Sequence, residues 1–231
     1  MACILSIESS TQVCSVAVSN KLELLWSKDN MKSFSHSEVL GTYISEALKF
    51  IKDNHLSLDA VAVSEGPGSY TGLRIGVSFA KGLCYGFDIP LIALSSLKIM
   101  ASQFISSSSY LCPMFDARRM EVYSALYDGN LNELEPARTM IVNEDSFQNI
   151  LSANKVIFFG SGVEKSKTVI QSINAEFISN IYPSASNMAI VAENANIEDL
   201  YVDIAYFEPY YLKDFQATIP KSKVFSFIHK A

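Results

Sequence analysis

Residues 3–26 read CILSIESSTQVCSVAVSNKLELLW. Three apolar runs, at 3–8, 13–18 and 22–26, are separated by the polar turns Ser9-Ser10-Thr11-Gln12 and Ser19-Asn20-Lys21. Short runs of this kind with turn residues between them predict an antiparallel meander. Ser35-His36-Ser37-Glu38 then has the S-x-x-E form of a capping box, and Val39, Leu40, Tyr43, Ile44, Ala47, Leu48 and Ile51 follow at helical spacing. That spacing predicts a helix over 36–52. An apolar strand is expected at 60–64, a break at Gly66-Pro67-Gly68, a second helix over 71–85, a strand at 91–94 and a third helix from Ser95 or Ser96.

After the serine run 106–109 the order begins again. Strands are expected at 111–115, 121–127 and 137–142, a short helix at 145–151, a strand at 156–159, and helices at 163–173 and 186–195. A βββαβα unit that occurs twice predicts two mixed sheets covered by helices. This is the α/β arrangement of the actin-like superfamily, which includes acetate and sugar kinases, Hsp70 and actin. It places an N-terminal half at 1–105 and a C-terminal half at 106–231.

Composition narrows the function. Among 231 residues, 18 Lys and Arg stand against 24 Asp and Glu, a formal net charge of −6, and Arg118-Arg119 are the only adjacent arginines. A chain that grips nucleic acid unaided usually carries a basic footprint, so tRNA or other nucleic acid is expected only through a complex. No apolar run approaches the ~20 residues of a membrane span, and the N-terminus has no positive start, so a cytoplasmic protein without membrane contact is expected. Cys3, Cys14, Cys84 and Cys112 stand singly in apolar segments, as buried thiols do.

At Glu65-Gly66-Pro67-Gly68-Ser69-Tyr70-Thr71-Gly72-Leu73-Arg74-Ile75-Gly76 the chain resembles the G-P-G-S-[FY]-T-G-L-R-[IV]-G signature of the TsaB (YeaZ) family. Ile7-Glu8-Ser9-Ser10 stands where the family reads I-D-T-S. His36-Ser37-Glu38, Asp116-Ala117-Arg118-Arg119 and Glu121-Val122-Tyr123 extend the match, and beyond about residue 130 it is looser, at Gly160-Ser161-Gly162, Tyr182-Pro183 and Pro209-Tyr210-Tyr211-Leu212. The resemblance implies a non-catalytic subunit of the bacterial tRNA threonylcarbamoyladenosine machinery. It implies a homodimer when alone, a heterodimer with the catalytic paralogue TsaD, and the ATPase TsaE as a further partner. No cofactor of its own is implied, and ATP or ADP at the subunit junction is left open.

The residues themselves weigh against catalysis. Actin-like kinases grip phosphates with two hairpin turns, each using an Asp among small residues, so that backbone N–H groups approach the oxygens. Here the first turn is Glu8-Ser9-Ser10-Thr11, without glycine, and two arginines crowd the second. A weak nucleotide contact at Glu8, Ser9, Ser10 and Arg118 is the most these turns leave. The catalytic paralogue's H-x-x-x-H pair has no counterpart in Leu94-Ser95-Ser96-Leu97-Lys98-Ile99-Met100, and His36, His55 and His229 lie far apart. A helix-borne metal site needs two such ligands on one face, so no metal site is expected. Ser69 lacks the G-x-S-x-G setting of a nucleophile and suits a helix N-cap. A small-molecule kinase or ATPase therefore lacks its phosphate turns, and a metallopeptidase or glycoprotease lacks its ligands.

The expected partner interface comprises Gly72, Gly76 and Ala80, which repeat every fourth residue, the flanking Ile75 and Phe79, and Leu40, Tyr43 and Ala47 of the first helix. Small residues on one face let another backbone come close. A bulky residue at Gly76 is accordingly expected to break the partner contact while leaving the fold intact.

Overall fold

The computed structural model describes residues 2–30 and 36–213. Two five-stranded mixed sheets share one topology. In the first half, β1 (Cys3–Glu8), β2 (Cys14–Asn20), β3 (Glu23–Asn30), β4 (Ala60–Gly66) and β5 (Leu91–Ser95) lie in the order β3-β2-β1-β4-β5. β1 pairs antiparallel with β2 and parallel with β4. In the second half, β6 (Tyr110–Asp116), β7 (Glu121–Tyr127), β8 (Glu133–Ile141), β9 (Val156–Phe159) and β10 (Ala175–Ile178) repeat it as β10-β9-β6-β7-β8. The fold is the duplicated actin-like one.

The helices are unequal. α1 (His36–Asp53) and α2 (Tyr70–Phe87) each have 18 residues and cover the first sheet through Leu40, Ile44, Ala47, Val77, Ala80 and Cys84. Ser69 caps α2, its Oγ accepting the Gly72 N–H at 3.2 Å, and Asp88 ends it in the left-handed region. The S-x-x-E box falls partly outside the described residues. α3 (Ser96–Ala101) leads into the second half, whose helices α4 (Gln148–Leu151) and α5 (Val163–Ser166) are single turns before α6 (Ala189–Ile197).

The helix expected over 163–173 ends at Ser166, and the strand Ala175–Ile178 takes up the edge beside β9. The run Thr168-Val169-Ile170 is β-branched, and such side chains lose rotamer freedom in a helix. The helix expected from 186 starts at Ala189, after a 3₁₀ turn over Ala185–Asn187.

A core of Ile4, Ala62, Leu94, Leu111, Phe159 and Met188 joins the halves. The chain then returns to the first sheet. The Ala185 N–H donates to Ser15 Oγ (2.8 Å), the Val202 N–H to Leu91 O (2.9 Å) and the Tyr210 N–H to Glu65 O (2.7 Å). Both halves thus meet along a cleft bounded by the ends of β1 and β6.

Candidate functional site: an interdomain cleft and an apolar groove

The first phosphate turn is closed by the chain itself. Glu8, Ser9 and Ser10 are all buried. The Ser10 N–H donates to Glu8 Oε1 (2.6 Å), Ser9 Oγ donates to Gly72 O (2.9 Å), and the Ser69 N–H donates to Ser10 O (2.6 Å). A Cβ added at Gly68 would sit 2.3 Å from Ser10 O, so the glycine-rich loop can lie on this turn only because that side chain is missing. Glu8 and Ser9 therefore offer nothing to a nucleotide, contrary to the sequence-based expectation; Ser10 reaches the cleft wall, but its backbone N–H and carbonyl are committed. Burial pushes the Glu8 carboxyl up to about 7, against opposing hydrogen bonds from Ser10, Ser64 and Ser9.

The second turn stays open. Asp116 ends β6, and its carboxylate accepts the Arg118 N–H (2.8 Å) and pairs with Lys165 (2.5 Å). Burial works to raise the Asp116 pKa, but Lys165 and that N–H outweigh it and hold the carboxyl below its usual value. Lys165 Nζ also donates to the carbonyls of Arg119 (2.9 Å) and Glu121 (2.5 Å), pinning the hairpin. Arg118 and Arg119 have positive φ, 70° and 50°, and both are exposed. They line a cleft of about 1590 Å³ with Tyr70, Tyr123, Tyr182 and Tyr211.

The small face of α2 corrects the expected interface. A Cβ at Gly72 would meet Ser9 O at 2.1 Å, and one at Gly76 would meet Ser9 Oγ at 2.2 Å. Gly72, Gly76 and Ala80 are buried, as are Leu40 and Ala47. Gly72 and Gly76 admit the chain's own first turn, and Ala80 packs into the core beneath α2. The outward face is different: Tyr70, Thr71, Arg74, Ile75, Ser78, Phe79, Gly82 and Leu83 line an apolar groove of about 600 Å³. Of the eight expected interface residues, Ile75 and Phe79 lie in it, and Tyr43 is half-buried under the Lys28 ammonium, 5.5 Å from the ring centroid. The other groove residues, Tyr70, Thr71, Arg74, Ser78, Gly82 and Leu83, were not singled out from the sequence as interface, although Arg74, Ser78, Gly82 and Leu83 recur on one helical face with Ile75 and Phe79.

Arg74 stands between groove and cleft. Its guanidinium lies 4.2 Å from the Tyr70 ring centroid, and its Nε donates to the Tyr211 hydroxyl at 3.1 Å. All four cysteines are buried and unbridged. Burial raises the thiols of Cys3, Cys14 and Cys84 to about 11 and that of Cys112 further, which leaves no reactive thiolate. No helix among the described residues is long and apolar enough to cross a membrane.

A family model described as "TsaD: tRNA N6-adenosine threonylcarbamoyltransferase" matches residues 30–221. Proteins named "tRNA threonylcarbamoyladenosine biosynthesis protein TsaB" are similar along the chain. That of Bacillus subtilis is 32% identical over 155 residues, 57% of this chain and 67% of that protein. That of Buchnera aphidicola subsp. Baizongia pistaciae is 30% identical over 204 residues, 84% and 89%. With the Escherichia coli protein the match is 31% over 137 residues and spans 56% of each chain. The solved structure of YeaZ from Pseudomonas aeruginosa superposes with a TM-score of 0.79 at 23% identity, covering 92% of this chain and all of that one. At that identity it bears on the fold alone.

Proposed function

Since the chain belongs to the family described by the TsaD model and, within it, to the TsaB (YeaZ) family of tRNA threonylcarbamoyladenosine biosynthesis, we propose that it acts there as a non-catalytic partner of TsaD. The observation that carries this reading is the division of labour on α2. Its inner face is spent on closing the first phosphate turn, while its outer face presents an unfilled apolar groove. A turn sealed by Ser9, Ser10 and Ser69 cannot bring backbone N–H groups to a phosphate, and half of a phosphate pincer is not a transfer site. An apolar groove with Ile75 and Phe79 at its centre suits a helix laid across it, because amphipathic helices seat apolar anchors in such grooves.

The same face serves two occupants in this account. A second copy fills it when the chain is alone, and TsaD replaces that copy in the working complex, which TsaE joins. ATP or ADP, where it acts, belongs to the junction with the partner. Co-expression with TsaD of the same organism tests the proposal. A tagged chain is expected to retain TsaD through a purification that removes unbound protein, and sedimentation of the chain alone is expected to give a dimer that disappears as TsaD is added. Dimer and TsaD bound together through separate surfaces would contradict the shared face.

A further inference from the structure

Within the cleft, the acidic side chains are matched by the chain's own cations, and two arginines are left over. Asp116 pairs with Lys165 and Glu121 with Lys213. Among the described residues neither the Arg118 nor the Arg119 guanidinium has an acidic partner. Both hold a left-handed backbone, which a non-glycine residue keeps only where surrounding contacts enforce it. Lys165 supplies that enforcement from beneath. Tyrosine side chains stand around the pair at positions 70, 123, 182, 210 and 211. The cleft, about 1590 Å³, is larger than the ~300–1,000 Å³ typical of a small-molecule pocket.

We propose that this cleft takes a short single-stranded RNA segment, with Arg118 and Arg119 on successive phosphates and the tyrosine rings against bases. Guanidinium groups pair with phosphate oxygens. Aromatic rings stack on bases whose faces are open, which a duplex does not offer; Tyr210 is exposed, Tyr123 and Tyr182 are half-buried, and Tyr70 and Tyr211 also hold Arg74. With the Glu8 turn sealed, the unpaired cations that can meet phosphates are, among the described residues of the cleft, those of the second turn. A net charge of −6 repels polyanions elsewhere, so the chain alone binds weakly and the cleft adds to grip already provided in a complex. That the RNA is a tRNA rests on the function proposed above; the preference for a single strand rests on the cleft.

The test is fluorescence anisotropy of the full chain with an end-labelled single-stranded RNA oligonucleotide, titrated with salt from low ionic strength. Each phosphate contact on a single strand contributes about 0.7 to the slope of log affinity against log salt. The double variant Arg118→Gln/Arg119→Gln is expected to lower that slope by about 1.4 and weaken low-salt binding about tenfold or more. Tyr182→Ala is expected to weaken binding about fivefold or more by loss of stacking with the slope unchanged. Arg118→Gly/Arg119→Gly, which suits the positive φ, serves where the glutamine pair melts early. Equal affinity of variants and wild type, equal affinity for duplex and single strand, or full displacement of the oligonucleotide by AMP at matched nucleotide concentration would each overturn the proposal. Co-purification with TsaD is followed on the same proteins: the arginine variants are expected to retain TsaD. Failure of the wild type to do so would count against the partner function while leaving the RNA measurement standing.

Discussion

Glu8 sits at the end of β1 with its carboxyl shut off from water. Its pKa of about 7 in the fold lies above the 4.5 of a free side chain. Between those values the folded protein holds a proton that the unfolded chain has released, so stability falls as pH rises through the window and the full penalty is present above it. Glu8→Gln keeps an oxygen for the Ser10 N–H and carries no charge. It is expected to be more stable than wild type at about pH 8, by on the order of 3 kcal/mol, and the difference should vanish as pH falls below 4.5. Urea unfolding at several pH values measures this; a constant difference would mean that Glu8 is not the titrating group. The glycines of α2 make a second contrast at this scale. Gly72→Ala drives a methyl into Ser9 O, and overpacking costs ~1–3 kcal/mol. Gly82→Ala meets nothing within 4 Å and gains about 1 kcal/mol of helix propensity. Opposite signs in denaturant midpoints are expected, and stabilisation by both would show the first turn to be loosely packed. The spacing of Gly72, Gly76 and Ala80 was legible in the sequence, but its target was not. A small stripe says that some backbone comes close, and only the long-range placement of Ser9, 63 residues from Gly72, says which.

At the scale of elements, α2 divides a core face of Leu73, Val77 and Cys84 from an outer face around Ile75 and Phe79. Gly82→Arg puts a long charged side chain into the outer groove at a position with open space, and it raises helix propensity. The variant is expected to fold normally, sediment as a monomer and lose TsaD by at least about tenfold, since a desolvated unpaired charge costs more than the ~1.4 kcal/mol of a decade. A variant that still dimerised would place the interface elsewhere. β1 (Cys3–Glu8), β7 (Glu121–Tyr127) and β9 (Val156–Phe159) have the bounds that hydrophobic patterning assigns. β9 is continuously apolar, the interiors of β1 and β7 are apolar but for Ser6 and Ser124, and turn residues follow each of them. β10 was illegible: Ala175-Glu176-Phe177-Ile178 is short, half-buried and at a sheet edge, where pairing rather than pattern creates the strand.

On the scale of the whole molecule, duplication and its decay are both visible. The two sheets share one strand order, yet the 18-residue helices of the first half correspond to four-residue turns in the second. The first half thus keeps the broad helical surface, and the chain's return through Val202 and Tyr210 braces it. The sealed first turn and the apolar groove left open on α2 are the features on which the proposed partner role rests. The direct measurement is threonylcarbamoylation of unmodified tRNA by TsaD, TsaE and the carbamoyl donor of the same organism, with and without this chain. Modification is expected only when the chain is present, and it should persist with Glu8→Gln and fail with Gly82→Arg. Full modification in its absence, or activity abolished by Glu8→Gln in a folded, TsaD-bound protein, would contradict a non-catalytic partner.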